Sequence, residues 1–161
     1  MAVAFDASIL IDLFNPKLKG DRRAKLDNLV SELQKSRTKI FIPTPALTEL
    51  MIRAGQARET IHQKLSVKSA FQIVPFDSRA AMECALLLED AWDTGYRRQV
   101  SRTKFKFDWQ IVAISAVHRV TSIYSEDADI AQYAQRADIK VVKTDELPLP
   151  ASANQHNLNF E

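Results

Sequence analysis

Short apolar runs alternate with longer stretches of helical periodicity along this chain. The runs predict five strands, at residues 2–5, 40–42, 71–74, 122–124 and 139–142. Between them, apolar residues recur every three or four positions and predict helices at about residues 8–15, 21–36, 44–55, 56–68, 77–94, 108–117 and 127–136. Strands that alternate with helices pair in parallel and carry helices on both faces. We therefore expect a three-layer α/β/α fold with a central, mostly parallel sheet of four to five strands.

Individual residues set the expected helix ends and buried faces. Asp21 is the expected N-cap of the second helix, and Thr44 is expected to cap the third, with Pro45 at its first position and Gly55 at its end. The helix over 21–36 is expected to bury Leu26, Leu29, Val30 and Leu33. The helix over 77–94 is expected to bury Ala81, Cys84, Ala85, Leu88 and Trp92.

Length and composition fit one soluble globular domain. The chain has 161 residues, and residues 1–147 carry all the predicted elements. Residues 148–161 form a polar tail, which we expect to be loose. No apolar stretch approaches the roughly 20 residues that a membrane-spanning helix needs, and the first residues do not resemble a secretory signal. Cys84 is the one cysteine, so no internal disulfide can form, which fits a reducing cytoplasm.

Acidic residues recur near the ends of the apolar runs. Asp6 follows the first strand, Asp127 and Asp129 follow the fourth, and Glu49 and Asp108 lie on helices between them. An α/β fold could deliver all five to the edge where ligands bind, outside the carboxyl ends of the strands. Carboxylates gathered there repel one another, and Mg²⁺ or Mn²⁺ relieves that repulsion. The pattern predicts a metal-dependent enzyme that acts on phosphate esters.

Each acid alone also has an ordinary structural explanation. Asp6, Asp108 and Asp127 could be helix caps or turn residues, and the helix dipole would also favour Asp127 and Asp129 in a first turn. Glu49 could be an exposed glutamate in the middle of a helix. The ordered set favours a functional site.

Four segments of the chain resemble the PIN-domain nucleases, in the order in which that family carries them: residues 5–14, 44–50, 107–116 and 123–130. The similarity extends over roughly residues 2–143. The resemblance implies an RNA endonuclease in residues 1–147, with the tail of residues 148–161 outside the minimal domain. Trp109 departs from the family pattern, because an aliphatic residue is expected after the third acid.

The resemblance also implies the roles of the site residues and the partners. Asp6, Glu49, Asp108 and Asp127 would be catalytic and would hold Mg²⁺ or Mn²⁺. The residues that would support this site are Ser8, Ser125 and Asp129. Many PIN proteins of this size are VapC-type toxins, which implies a homodimer in the cytoplasm with an antitoxin as partner and RNA as substrate.

A basic stretch leads into Asp108. It contains Arg97, Arg98, Arg102, Lys104 and Lys106, with aromatic residues nearby. We expect a loop here up to about residue 107, followed by a helix that Asp108 opens. Such a run is often only a solvated loop, but cationic side chains and stacking aromatic rings are also how single strands are held. The functional interpretation is that the loop binds RNA beside the metal.

Other classes of protein fit less well or differ in activity. A phosphatase of the haloacid dehalogenase type needs a second acid two residues after Asp6, where the chain has Ser8. A receiver domain needs an aspartate directly after a central strand, whereas Val74 is followed by Pro75 and Phe76. The three histidines have no spacing typical of a zinc site. The main alternative is a PIN-like module that binds RNA or protein without cleaving it.

Overall fold

The computed structural model describes residues 1–67, 70–95 and 102–151, with the backbone alone for 102–105. Its five strands are Ala2–Phe5 (β1), Lys39–Pro43 (β2), Phe71–Val74 (β3), Ser122–Tyr124 (β4) and Lys140–Val142 (β5). The α-helices in these ranges are Ala7–Leu13 (α1), Gly20–Lys35 (α2), Thr44–Ala54 (α3), Arg58–Val67 (α4), Ser78–Asp93 (α5), Arg102–Val117 (α6) and Ala128–Ala134 (α7).

The strands form one parallel sheet in the order β3-β2-β1-β4-β5. Ala4 of β1 pairs with Phe41 on one side and with Ile123 on the other. Strands β2 and β3 therefore lie on one side of β1, and β4 and β5, which come later in the chain, lie on its other side. Ligands of open α/β sheets bind where the strand order reverses in this way. The predicted fold class is confirmed, and the reversal lies between β1 and β4.

The core follows the apolar pattern at most positions. Val3, Ala4 and Phe5 of β1 are buried, as expected of a central strand with helices on both faces. The four residues predicted to be buried on α2, Leu26, Leu29, Val30 and Leu33, are all buried. None of the helices in the described ranges combines the length and the hydropathy that a membrane crossing requires.

The buried face predicted for α5 is wrong in part. The residues that α5 buries are Ala80, Cys84, Leu87 and Ala91. Ala81 and Ala85 are exposed, and Trp92 is 59% exposed. The helical period of α5 is predicted correctly, but its buried face is rotated about the helix axis. Consecutive alanines and leucines on α5 fit more than one buried face equally well.

Two predicted helix caps also need correction. Helix α2 begins at Gly20 after Lys19, so Asp21 lies in its first turn and is not its N-cap. Thr44 is the first residue of α3 and follows the cap residue Pro43, while Gly55 ends the helix as predicted. Thr44 Oγ1 instead accepts a hydrogen bond from the backbone N–H of Phe76, at 3.2 Å.

Helix α6 begins at Arg102, six residues before Asp108. The predicted loop is therefore wrong over residues 102–107, and Asp108 lies inside the helix. The alternation of lysine and phenylalanine over residues 104–107 hides the helical period. The high helix propensity of arginine and lysine favours the helix there.

Candidate metal centre at the carboxyl end of the sheet

Asp6 follows β1 directly and caps α1. Its Oδ1 accepts from the backbone N–H of Ile9 at 3.3 Å, which is the bond expected of an N-cap. The same oxygen accepts from Ser8 Oγ at 2.5 Å, and Oδ2 accepts from Ser125 Oγ at 2.5 Å. Asp6 is 3% exposed. Both carboxylate oxygens therefore have donors, one of which comes from the loop after the neighbouring strand β4.

The loop after β4, residues 125–127, connects Asp6 to a second acid. The backbone N–H of Asp127 donates to Ser125 Oγ at 2.9 Å, and the backbone N–H of Glu126 donates to Ser8 Oγ at 3.0 Å. Asp127 in turn caps α7, because its Oδ1 accepts from the backbone N–H of Asp129 at 2.8 Å. The two hydroxyl groups thus link the loop to Asp6.

Three carboxylates converge beside this loop. Asp108, Asp127 and Asp129 each offer an oxygen atom, and these atoms lie within 4.8 Å of one another. Asp108 is buried, and the other two are half-buried. Mg²⁺ holds its ligands at roughly 2.1 Å, so the three side chains must draw closer together to share one ion. Carboxylate oxygens are the ligands that Mg²⁺ and Mn²⁺ prefer, so the residues fit a divalent cation.

Burial changes the acidity of Asp6. It raises the pKa of Asp6 from 3.8 to about 6, although the hydrogen bonds from Ser125, Ser8 and Ile9 lower it and the charge of Asp127 raises it further. In the protein without metal, Asp6 therefore keeps its proton to a higher pH than an ordinary aspartate does. A cation bound nearby would favour the ionised form instead.

Glu49 and Asp6 are not members of this set of three acids, among the residues that the structure describes. Glu49 is half-buried on α3. Helix α3 packs against α1, which Asp6 caps, and against α6, which carries Asp108. Asp129, in contrast, is a member of the set, although the resemblance implies only a supporting role for it.

The residues predicted to bind RNA are only partly described. Arg97 and Arg98 lie outside the described residues. Arg102 and Lys104 lie in the first turn of α6, where the backbone alone is described. Lys106 is exposed, and it lies two residues before Asp108, a spacing at which helical side chains do not face each other.

Two contacts near the site were not predicted from the sequence. Trp109 is fully buried, and its ring stacks on Tyr133 of α7, with ring centroids 4.4 Å apart and planes inclined by 15°. The large ring that departs from the family pattern thus has a partner on the helix that carries Asp129. Glu126 accepts hydrogen bonds from Thr144. Neither partner is near in sequence, so no local pattern indicates these contacts.

The acidic site does not coincide with a large cavity between α1 and α2. That cavity has a volume of about 550 Å³, and among its lining residues are Leu13, Arg23 and Phe71. None of the predicted acids lines it. The chemistry of the side chains, and not the size of a concavity, identifies the candidate site.

Comparisons with known proteins agree with this architecture. A family model for the PIN domain matches residues 3–147. FitAcB from Neisseria gonorrhoeae has a similar structure, with 17% identity and a TM-score of 0.64, over 90% of this chain and 99% of that chain. VapBC2 from Rickettsia felis, bound to a DNA fragment from their promoter, has 14% identity and a TM-score of 0.64, over 89% and 98% of the two chains.

A third similar structure is VapC20 from Mycobacterium tuberculosis, described as a sarcin-ricin loop cleaving toxin. It has 16% identity and a TM-score of 0.52, over 81% of this chain and 93% of that chain. At these identities, the solved structures establish the shared fold. A comparison with curated protein sequences gives no significant match.

Proposed function

The chain belongs to the PIN domain family, and on this basis we propose that it is a metal-dependent endoribonuclease and the toxin of a toxin–antitoxin pair. The observation that carries the proposal is the convergence of Asp108, Asp127 and Asp129 within 4.8 Å. Asp6 joins them through Ser125, which bonds both Asp6 and the backbone of Asp127. A site that only capped helices would not need acids from two helices and two strand ends.

In the proposed site, Asp108 and Asp127 hold Mg²⁺ or Mn²⁺ together with Asp6, and Glu49 is a ligand either directly or through water. Asp129 supports them from the first turn of α7. When bound, the ion would supply Lewis-acid chemistry to the scissile phosphate and would lower the pKa of a water molecule beside it. The protein contributes placement and charge stabilisation.

The residues around the proposed metal site act mainly by holding the acids in place. Ser8 and Ser125 fix the orientation of the Asp6 carboxylate from two sides. With its pKa raised to about 6, Asp6 is still mostly ionised at neutral pH and is available as a ligand. Asp108 is buried on α6 and cannot swing freely into solvent. Such a preorganised set of charges needs little rearrangement when the ion and the phosphate arrive.

RNA is the substrate that we propose. One protein with a similar fold is described as a sarcin-ricin loop cleaving toxin, which supports RNA over other phosphate esters. Arg97, Arg98, Arg102, Lys104 and Lys106 are the residues that we propose to contact the RNA backbone. Charge reversal at Arg102 and Lys104 should weaken RNA binding and reduce its dependence on salt. Unchanged binding at moderate salt would contradict this assignment.

Cleavage of a mixed pool of structured RNAs tests the activity. The purified protein is incubated with Mg²⁺, with Mn²⁺ or with EDTA, beside the variants Asp6→Asn and Asp108→Asn. The matched control is Asp93→Asn, which changes an exposed aspartate at the end of α5. We expect cleavage that needs the metal, persists in the control and is lost in both site variants. RNA that binds without being cut, with the variants folded, would instead identify a binding module.

An antitoxin and a homodimer are proposed as partners. One protein with a similar fold, from Klebsiella pneumoniae, is described as a toxin–antitoxin complex, which supports a protein partner. Induced expression of the wild-type chain should stop bacterial growth, and expression of Asp6→Asn should not. Co-expression of the gene next to it should restore growth. Growth arrest by both proteins would show that the toxicity does not depend on the acidic site.

A further inference from the structure

The middle residue of the loop over residues 125–127 has different partners from the two residues that flank it. Ser125 bonds Asp6, and Asp127 belongs to the set of three carboxylates. Glu126 lies between them, but its Oε1 accepts from the backbone N–H of Thr144 at 2.8 Å and from Thr144 Oγ1 at 2.5 Å. Thr144 is buried and lies just after β5. The loop is therefore attached to the segment that follows β5, the strand at this edge of the sheet.

Arg22 provides a second attachment for the same carboxylate. Its Nη2 lies 3.5 Å from Glu126 Oε1, and its Nε donates to Asp12 Oδ2 at 2.8 Å. Arg22 is on α2 and Asp12 is on α1, the helix that Asp6 caps. Glu126 thus connects the loop to two helices and to the end of β5, through groups that are all at least partly shielded from solvent.

The position of this loop determines the geometry of the acids. The backbone N–H of Glu126 donates to the Ser8 hydroxyl, and that of Asp127 donates to the Ser125 hydroxyl. Both serine hydroxyls in turn donate to Asp6. Asp127 must also stay close to two other carboxylates. Without metal, those carboxylates repel one another and would push the loop outward. The bonds of Glu126 to Thr144 and Arg22 oppose this displacement.

We propose that Glu126 is a positioning residue: by binding Thr144 and Arg22, it holds Asp127 beside Asp108 and Asp129 before the metal binds. The inference rests on the proposed function, because it assigns Glu126 a role in preparing that site. Glu126 itself contacts neither the metal nor the substrate in this role. Its effect reaches the site through the backbone of Ser125 and Asp127.

Three variants separate the two attachments. Glu126→Ala removes both. Glu126→Gln keeps an oxygen for Thr144 but removes the charge that faces Arg22, and Thr144→Val removes the hydroxyl donor while keeping the backbone donor and a similar shape. The matched control is Asp90→Asn, which removes the charge that Asp90 of α5 pairs with Arg136 (3.0 Å). The conservative variants keep the test valid if Glu126→Ala does not fold.

Hydrogen exchange of the Asp127 backbone amide in EDTA is the first measurement, because this amide bonds Ser125 Oγ inside the loop. We expect Glu126→Ala to accelerate its exchange about tenfold relative to the amides of β1, from the loss of charged hydrogen bonds. Glu126→Gln and Thr144→Val should show smaller increases. Asp90→Asn should show none. Exchange that is unchanged, or that rises only as much as in β1, would overturn the proposal.

Mn²⁺ affinity, measured by calorimetry on the same proteins, is the second readout. We expect about a tenfold loss for Glu126→Ala and a partial recovery for Glu126→Gln. The exchange experiment needs neither metal nor RNA, so its failure is distinguishable from failure of the proposed function. If wild type binds no Mn²⁺, the metal site itself is wrong. If wild type binds Mn²⁺ and the Glu126 variants bind it equally well, the positioning role is wrong.

Discussion

Asp6 has two roles that sequence alone cannot separate. It is the N-cap of α1, through the backbone N–H of Ile9, and this is the ordinary explanation of an aspartate after a strand. A cap needs one carboxylate oxygen and tolerates solvent. Asp6 is instead 3% exposed, and its second oxygen is held by Ser125 from a distant part of the chain. The burial and the second bond favour a functional role over capping alone.

The buried carboxyl of Asp6 should make the metal-free protein less stable as the pH rises. Its pKa is about 6 in the folded protein against 3.8 as its ordinary value. The folded state therefore binds more protons between about pH 4 and pH 6, and the free energy of unfolding falls across that window. The loss approaches about 3 kcal/mol above pH 6. Asp6→Asn removes the titrating group and should lose this dependence.

Urea unfolding in EDTA from pH 4 to pH 8 checks this prediction. The quantity to compare is the difference in free energy of unfolding between wild type and Asp6→Asn, because other groups titrate in both proteins. Glu126 acts in the opposite direction: the hydrogen bonds from Thr144 and the charge of Arg22 outweigh its burial and lower its pKa. Its contribution to stability is lost as the pH falls. A difference that is constant with pH would show that Asp6 is not protonated preferentially in the fold.

Ser125 should affect metal binding through the acidity of Asp6. The Ser125 hydroxyl lowers the pKa of Asp6 by donating to it, so Ser125→Ala should raise that pKa further. Because protons then compete better with the metal, the loss of Mn²⁺ affinity should be greater at pH 6 than at pH 8. Calorimetric titrations at both pH values measure the Mn²⁺ affinity, with Ser66→Ala at an exposed position of α4 as the control. An equal loss at both pH values would point to lost geometry alone.

At the scale of elements, the spacing of the acids depends on how α6 packs against α7. Asp108 lies within α6, and Asp129 lies in the first turn of α7. Next to Asp108, Trp109 stacks on Tyr133, which lies one turn after Asp129. The stacked rings are fully buried and set the separation of the two helices. Trp109 therefore supports the site, although it departs from the pattern that the resemblance implies.

Removing the stacked ring should change the distance between α6 and α7, which carry Asp108 and Asp129. Tyr133→Ala should cost about 3–5 kcal/mol of unfolding free energy, because it leaves a large cavity, and it should also weaken Mn²⁺ binding. Tyr133→Phe keeps the ring and should preserve Mn²⁺ affinity. Chemical unfolding and calorimetry on both variants test this. Loss of stability in Tyr133→Ala with full Mn²⁺ affinity would show that the stack does not control the acid spacing.

The elements that the sequence predicts well are those with an unambiguous pattern. Strand β3 coincides with its apolar run because a proline follows Val74 directly. Helix α2 buries the predicted leucines because polar residues separate them. The face of α5 and the start of α6 were wrong because their patterns are degenerate. Three consecutive leucines fit several faces, and alternating lysine and phenylalanine hides the helical period.

At the scale of the whole molecule, the order of the strands brings the site together. The alternation of strands and helices predicts that Asp6 and Asp127 reach the same edge of the sheet. It does not predict that β1 and β4 are neighbours, on which the contact between Asp6 and Ser125 depends. The distances among Asp108, Asp127 and Asp129 follow from the packing of α6 and α7. They could not be predicted, because that packing involves residues far apart in the chain.

The same convergence predicts a link between metal binding and the stability of the whole domain. A ligand that binds only the folded state stabilises it by about 1.4 kcal/mol at ten times its dissociation constant. For a domain of this size, that raises the melting temperature by roughly 3–6 °C. Mn²⁺ and Mg²⁺ should produce the shift. Ca²⁺ should produce less, because it needs more ligands at longer distances.

Asp108→Asn should separate stability from metal binding. The substitution keeps the shape of the side chain but removes one of three charges that lie within 4.8 Å of one another. Repulsion in the metal-free protein then decreases, so its melting temperature in EDTA should equal or exceed that of wild type. The upward shift on adding Mn²⁺ should be lost. Thermal unfolding with EDTA and with Mn²⁺ measures both. A lower melting temperature in EDTA with the full Mn²⁺ shift retained would mean that Asp108 is a structural residue. A metal ligand should behave in the opposite way, because its charge destabilises the metal-free fold and its loss abolishes the Mn²⁺ shift.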